Sequence, residues 1–250
     1  ATARSSRRTD GPRRPEVVDG GLDAEGVPAP LVVEVLGDEL VLAPVVVDDG
    51  ALPGEELGDQ AAAEGVEGGG EPKIAIQDPR TSTPGLGLLL LMKSVYGDAA
   101  AEKWKALSPR ILTVTPGWSE AYGLFTSGEA PIVLSYTTSP AYHMVEEGSE
   151  RYNAARFSEG QYMQVEIAGI LKTSDHPDLA KAFLEYLVSP EVQSFIPVTN
   201  WTLPVVTPSQ PLPDAFGKLV SPAKALMIDP EDVAANRQAW TQEWLPAIGR

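Results

Sequence analysis

Residues 77–97 read QDPRTSTPGLGLLLLMKSVYG and follow directly on KIAI at 73–76. A short run rich in β-branched residues gives way to an acid, a base, three hydroxyls and a proline. The chain then continues as a long apolar stretch with helical punctuation. That change of character marks a strand followed by a helix, the unit from which layered α/β domains are built. Pro84 suits the first helical position, where a missing N–H costs nothing, so Thr83 is the expected N-cap with Ser82 before it. Gly97 or Asp98 is expected to close the helix. The free N–H groups of that first turn, together with Ser82 and Thr83, suit either plain capping or a cradle for an anion or hydrogen-bond acceptor. Local sequence leaves both readings open.

The alternation continues downstream. AAAEKWKAL (99–107) reads as a helix, ILTVT (111–115) as a strand and GWSEAYGLFTSG (117–128) as a short helix. PIVLSYTTS (131–139) is a strand that ends in hydroxyls, and PAYHMVEEG (140–148) opens a helix at a proline. YMQVEIAGILK (162–172) alternates as a strand does, while HPDLAKAFLEYLVSPEVQSFI (176–196) reads as two helices split at Ser189 and Pro190. PEDVAANRQAWTQEWLPAIG (230–249) is a long amphipathic helix with Val233, Trp240 and Trp244 near one stripe.

Composition divides the 250 residues sharply near residue 71. The first 70 contain no aromatic residue, 15 acids against 5 arginines, and 12 of the chain's 23 glycines. Val, Leu and Ala supply its apolar content, which is little from which to build a core. Residues 1–71 are therefore expected to be a Gly- and acid-rich segment, largely irregular, disordered or mis-framed, although LVVEVLGDELVLAPVVV (31–47) could pair as strands. The opening ATARSSRRTDGPRRPEVV has arginines without an apolar stretch, so no signal peptide is expected there. Residues 72–250 carry the recognisable domain.

Zero cysteines exclude disulfides, thiolate catalysis and cysteine-held metals. A net charge of −16 disfavours nucleic acid and anionic membranes as partners. No apolar run reaches the ~18 residues of a spanning helix. Catalytic signatures are thin: the two histidines are His143 and His176, and neither a G-x-S-x-G elbow nor a phosphate-binding glycine motif occurs. No His, Asp or Glu cluster has metal-ligand spacing, and Glu146, Glu147 and Glu150 read as a solvated helix face. No catalytic residue, metal ligand or cofactor is expected.

Ligands of α/β sheets collect beyond the carboxyl ends of the strands. Three such ends carry small polar or aromatic groups: Arg80-Thr81-Ser82-Thr83, Pro116-Gly117-Trp118-Ser119, and Tyr136-Thr137-Thr138-Ser139 followed by Tyr142. Trp118 is either a core residue or a flat stacking wall. One such helix entrance is unremarkable, but three at one sheet edge suggest a binding cleft.

These same blocks carry a family resemblance. QDPRTSTPGLGLLL, TPGWSEAYGLF, VLSYTTSPAYH, RFSEGQY with QVE, FLEYLVSPEVQSFIPVTNW and AANRQAWTQEWLPAIGR resemble the thiamine-binding periplasmic proteins of bacterial ABC transporters. The likeness runs over about residues 72–250. It implies a lobe of the type II periplasmic-binding-protein fold, a layered α/β sandwich, with hinge and terminal helices. It further implies a monomeric, non-enzymatic periplasmic protein that binds thiamine or its phosphates and delivers it to membrane permease and ATPase subunits. The contacts implied are Ser82, Thr83, Trp118, Tyr136, Thr137, Thr138 and Ser139, with Tyr142 and Trp201 as further pocket wall. Residues 1–71 do not resemble the family's first lobe, so a truncated cleft and weakened affinity are expected. A second cargo remains open: ferric iron held by paired tyrosines, here Tyr136 and Tyr142. So does a truncated product that binds nothing.

Overall fold

The computed structural model describes residues 40–47 and 72–249. The expectation of an irregular or mis-framed segment at 1–71 therefore lies, apart from 40–47, outside the described residues. Within 31–47, Leu40–Val47 forms a strand (β1).

Strands Ile74–Gln77 (β2), Ile111–Thr115 (β3) and Ile132–Tyr136 (β4) form the parallel heart of the fold. β2 lies between the other two, and β1 runs antiparallel to β4 on its far side. The opposite edge of β1 pairs with Tyr152–Ala154 (β5) and Gln161–Gln164 (β6), and Ala225–Leu226 (β7) extends the sheet beyond β6.

Successive side chains of a strand point to opposite faces, and this pleat sorts the core into two layers. Ile76 and Leu134 face one side, where they pack with Leu88–Met92 of helix Thr83–Tyr96 (α1), Trp104 of Ala100–Leu107 (α2) and Trp244 of Pro230–Ala247 (α7). Ala75 and Val133 face the other side, against Ala121 and Phe125 of Trp118–Thr126 (α3). Trp104 and Trp244 meet edge to face at 6.2 Å, both fully buried. Lys93 of α1, itself 8% exposed, reaches Glu243 of α7 at 2.7 Å and ties these helices across the layer. The layered α/β sandwich expected from the alternation is the observed architecture, and Val233 and Trp240 of α7 pack against the same core as Trp244.

Two expectations need correction. The strand read over 162–172 stops at Gln164. Its register partner there is Leu40, the first residue of β1, and among the described residues β7 pairs only with Gln161 and Tyr162. Val165 and Ile167 beyond it are exposed. The second helix of the pair at 176–196 is also interrupted. Pro177–Leu187 (α5) is continuous, but a 3-10 turn at Val192–Ser194 and one short turn at Ile196–Thr199 (α6) replace the rest. Pro190 and Pro197 lack the N–H that a continuous helix needs there.

Candidate functional site

Because β2 is parallel to both β3 and β4, their carboxyl ends open on one edge, and the three polar helix entrances meet there. The first two are stitched together by the backbone. Asp78 N–H donates to Thr115 O at 2.9 Å, and Thr81 Oγ1 donates to Pro116 O at 2.6 Å. Asp78 O accepts from the amides of Thr81 and Ser82, while its carboxylate pairs with Arg80. The helix begins one residue earlier than the proline suggested. Leu86 N–H donates to Ser82 O at 2.9 Å, so Ser82 closes the first helical ring and is the N-cap in place of Thr83, in extended conformation.

Capping itself is the second departure. No side-chain bond caps this helix, and among the described residues neither Ser82 nor Thr83 has a hydroxyl partner. Those hydroxyls and the first-turn amides remain available at the cleft edge. Gly85 makes the close approach possible: a Cβ there would lie 2.5 Å from Gln77 O. Gln164 Nε2 donates to Thr83 O at 2.9 Å and joins the sixth strand to the same turn.

At the second entrance, Gly117 is extended and Trp118 opens α3. Trp118 Nε1–H donates to Ser135 Oγ at 2.9 Å, which holds the indole edge against β4. Ser135 Oγ lies 2.7 Å from Ser139 Oγ, and the latter accepts from Tyr136 N at 3.3 Å. The third entrance, helix Ser139–Glu146 (α4), is thereby locked to the second, with the Trp118 and Tyr136 rings 6.4 Å apart. Thr137, Thr138 and Ser139 are all buried. Tyr142 meets Trp201 edge to face at 5.3 Å. Trp201 adopts φ +60, a left-handed conformation that strains a bulky residue, and its occurrence at a candidate pocket marks an enforced side-chain position.

The structure thus brings Trp118, Tyr136, Thr137, Thr138, Ser139, Tyr142 and Trp201 together around one sheet edge, with Ser82 and Thr83 at its rim. Sequence reading missed three neighbours. Tyr122 stacks on Trp118 at 4.4 Å, His143 is 1% exposed with its Nε2 2.7 Å from the Tyr122 hydroxyl, and Tyr152 stacks on His143 at 3.7 Å. The i,i+4 spacing of Trp118 and Tyr122 was the visible signal. Glu147 is exposed, as expected of a solvated face, and its carboxylate also reaches His143 Nδ1 at 2.8 Å.

Burial pushes the Tyr136 phenol up to about 12, and burial above all raises Tyr122 as well. Both are neutral at physiological pH and serve as stacking faces and hydrogen-bonding groups. Burial also raises the Glu166 carboxyl, with the hydrogen bond from Asn200 beside Trp201 pulling the other way. Among the described residues no group of three or more His, Asp or Glu side chains is placed to hold a metal ion. The arrangement suits a flat, cationic or heteroaromatic ligand with a polar tail: faces of Trp118, Tyr136, Tyr142 and Trp201 for the rings, hydroxyls and amides for the tail.

Comparison with known proteins agrees in kind. Residues 65–194 match the sequence profile of the bacterial extracellular solute-binding proteins. A thiamine-binding periplasmic protein of Brucella abortus is 54% identical over 206 residues, which cover 82% of this chain and 61% of that protein. Its counterpart in Escherichia coli K12 is 53% identical, with 76% and 58% covered. The chain therefore spans about three fifths of the length of these relatives. Among solved structures, a periplasmic thiamin binding protein superposes with a TM-score of 0.75 at 46% identity, over 93% of this chain and 69% of that one. A Bordetella ferric binding protein superposes at 0.60 with 18% identity, a likeness of fold alone.

Proposed function

Because the chain belongs to the bacterial extracellular solute-binding proteins, we propose that its cleft edge binds thiamine or a thiamine phosphate. In this reading the protein acts in the periplasm as the non-enzymatic, monomeric binding component of an ABC importer and passes its ligand to permease and ATPase subunits. The observation that carries the proposal is the convergence of Trp118, Tyr136, Tyr142 and Trp201 beside the uncapped entrance at Ser82 and Thr83. A thiazolium is a delocalised cation with a flat face, and each aromatic wall that it meets contributes roughly 0.5–2 kcal/mol. Ser82, Thr83 and the first-turn amides suit the hydroxyethyl group or its phosphate esters. The relatives named thiamine-binding at 53–54% identity support the same ligand.

Ferric iron fits the site less well. Ferric iron takes several anionic ligands, and among the described residues no group of three or more His, Asp or Glu side chains is placed to hold it. Calorimetric titration with thiamine, thiamine phosphate and Fe³⁺ separates the two readings. Heat from a thiamine at micromolar concentration or below, absent in Trp118→Ala, is the expected result. Saturable heat from Fe³⁺ alone, on a chain whose circular dichroism shows it folded, would replace this proposal with the iron reading.

A further inference from the structure

Trp118 is held from two directions, through its indole N–H and through its ring face. An indole N–H can only donate, and it donates to Ser135 Oγ. Ser135 then pairs with Ser139, whose oxygen also accepts from Tyr136 N–H. The face of the indole lies on Tyr122, with the two planes 22° apart. The Tyr122 hydroxyl in turn meets His143 Nε2, and His143 Nδ1 meets Glu147 Oε2.

The direction of each bond follows from chemistry. A carboxylate only accepts, so His143 Nδ1 carries a proton and donates to Glu147 Oε2. When the ring is uncharged, Nε2 is an acceptor and the Tyr122 hydroxyl donates to it at 2.7 Å. Two arms therefore meet at Trp118: its indole N–H is held by Ser135 and Ser139, and its face lies on Tyr122, whose hydroxyl leads through His143 to Glu147. His143 is fixed in plane as well: Tyr152 of β5 stacks on it, Tyr142 of α4 meets it edge-on, and Tyr122 of α3 lies within 5.9 Å. Glu147, at the far end, has 44% of its side chain exposed to solvent.

We propose that Tyr122, His143 and Glu147 are positioning residues that set the plane and height of the Trp118 ring against the ligand. The proposal rests on the thiamine reading for its ligand but on the hydrogen-bond geometry for its mechanism. Stacking depends on ring offset, and an indole already fixed loses less freedom when the ligand arrives. The His143–Glu147 and Trp118–Tyr122 pairs each span one helical turn, so two helices contribute a matched pair apiece.

The test uses the full chain with Tyr122→Phe, which keeps the stacking ring and removes the donor, and Glu147→Ala, which alters only the half-exposed end. Two readouts are needed: thiamine affinity by titration, and the near-ultraviolet circular dichroism band that Trp118→Ala abolishes. In each variant affinity should fall roughly three- to tenfold and the Trp118 band should weaken, with the far-ultraviolet spectrum unchanged. Affinity that stays within twofold in both variants overturns the proposal, whatever the band does. Affinity that falls while the band is intact overturns it too, since the effect would not pass through Trp118. A parent chain silent to thiamine whose Trp118 band still weakens in both variants rejects the thiamine reading and supports the positioning array.

Discussion

Helices α1 and α5 both carry a proline in their first turn, yet they end in opposite circumstances. α1 buries eight of its residues beneath the sheet. α5 buries none, and Leu179, Phe183 and Tyr186, spaced at helical intervals, are 70%, 47% and 60% exposed. The contrast extends to their surroundings. Around α1 the packing is continuous from Ile76 to Trp104 and Trp244, whereas Leu171, Val188, Phe195, Val205 and Met227 near or beyond α5 are also exposed. A helical pattern specifies a helix and the face it offers; it does not supply the surface against which that face is buried.

The largest effect that would sharpen this contrast is expected in the dense layer. Trp104→Ala removes a ring that is 2% exposed and packed edge to face on Trp244, and should cost roughly 3–5 kcal/mol in denaturant unfolding. A loss below about 1 kcal/mol would mean that the layer is loosely packed. Next comes alkaline stability. The buried Tyr136 phenol is held at about 12 against an ordinary 10.0. Below pH 10 both folded and unfolded chains keep the proton. As pH rises from 10 towards 12 the unfolded tyrosine ionises first, so stability falls through that window, by at most roughly 2–3 kcal/mol. Tyr136→Phe should flatten this part of the profile, and an unchanged slope would show the phenol to be solvated. The smallest effect belongs to α5: Phe183→Ala should change stability by no more than about 0.5 kcal/mol. A cost matching that of Trp104→Ala would erase the distinction between the two helices.

The same distinction explains what was legible in the sequence. β2, β3, β4 and the helices between them could be read because their periods are local and their breaks fall at Pro84, Gly97 and Gly117. The shared cleft edge was legible too, since parallel strands place their following turns together. What escaped were relations set by distant partners. β6 ends at Gln164 opposite Leu40, the first residue of β1, some 120 residues earlier in the chain. The N-cap moved from Thr83 to Ser82 because Asp78 O gathers the Thr81 and Ser82 amides into a turn. His143 and Tyr122 lie 21 residues apart on separate helices, so no spacing rule joins them. Glu147 looked like one more surface acid until the fold supplied a buried imidazole for it.

Hydrogen exchange of the full chain with and without saturating thiamine tests the central claim most directly, since it reports where the ligand sits as well as whether it binds. Thiamine should slow exchange at the three helix entrances, residues 82–86, 117–121 and 136–142, and leave 177–187 unchanged. Protection that instead appears on α5, or is absent from all three entrances while thiamine is bound, would contradict the account.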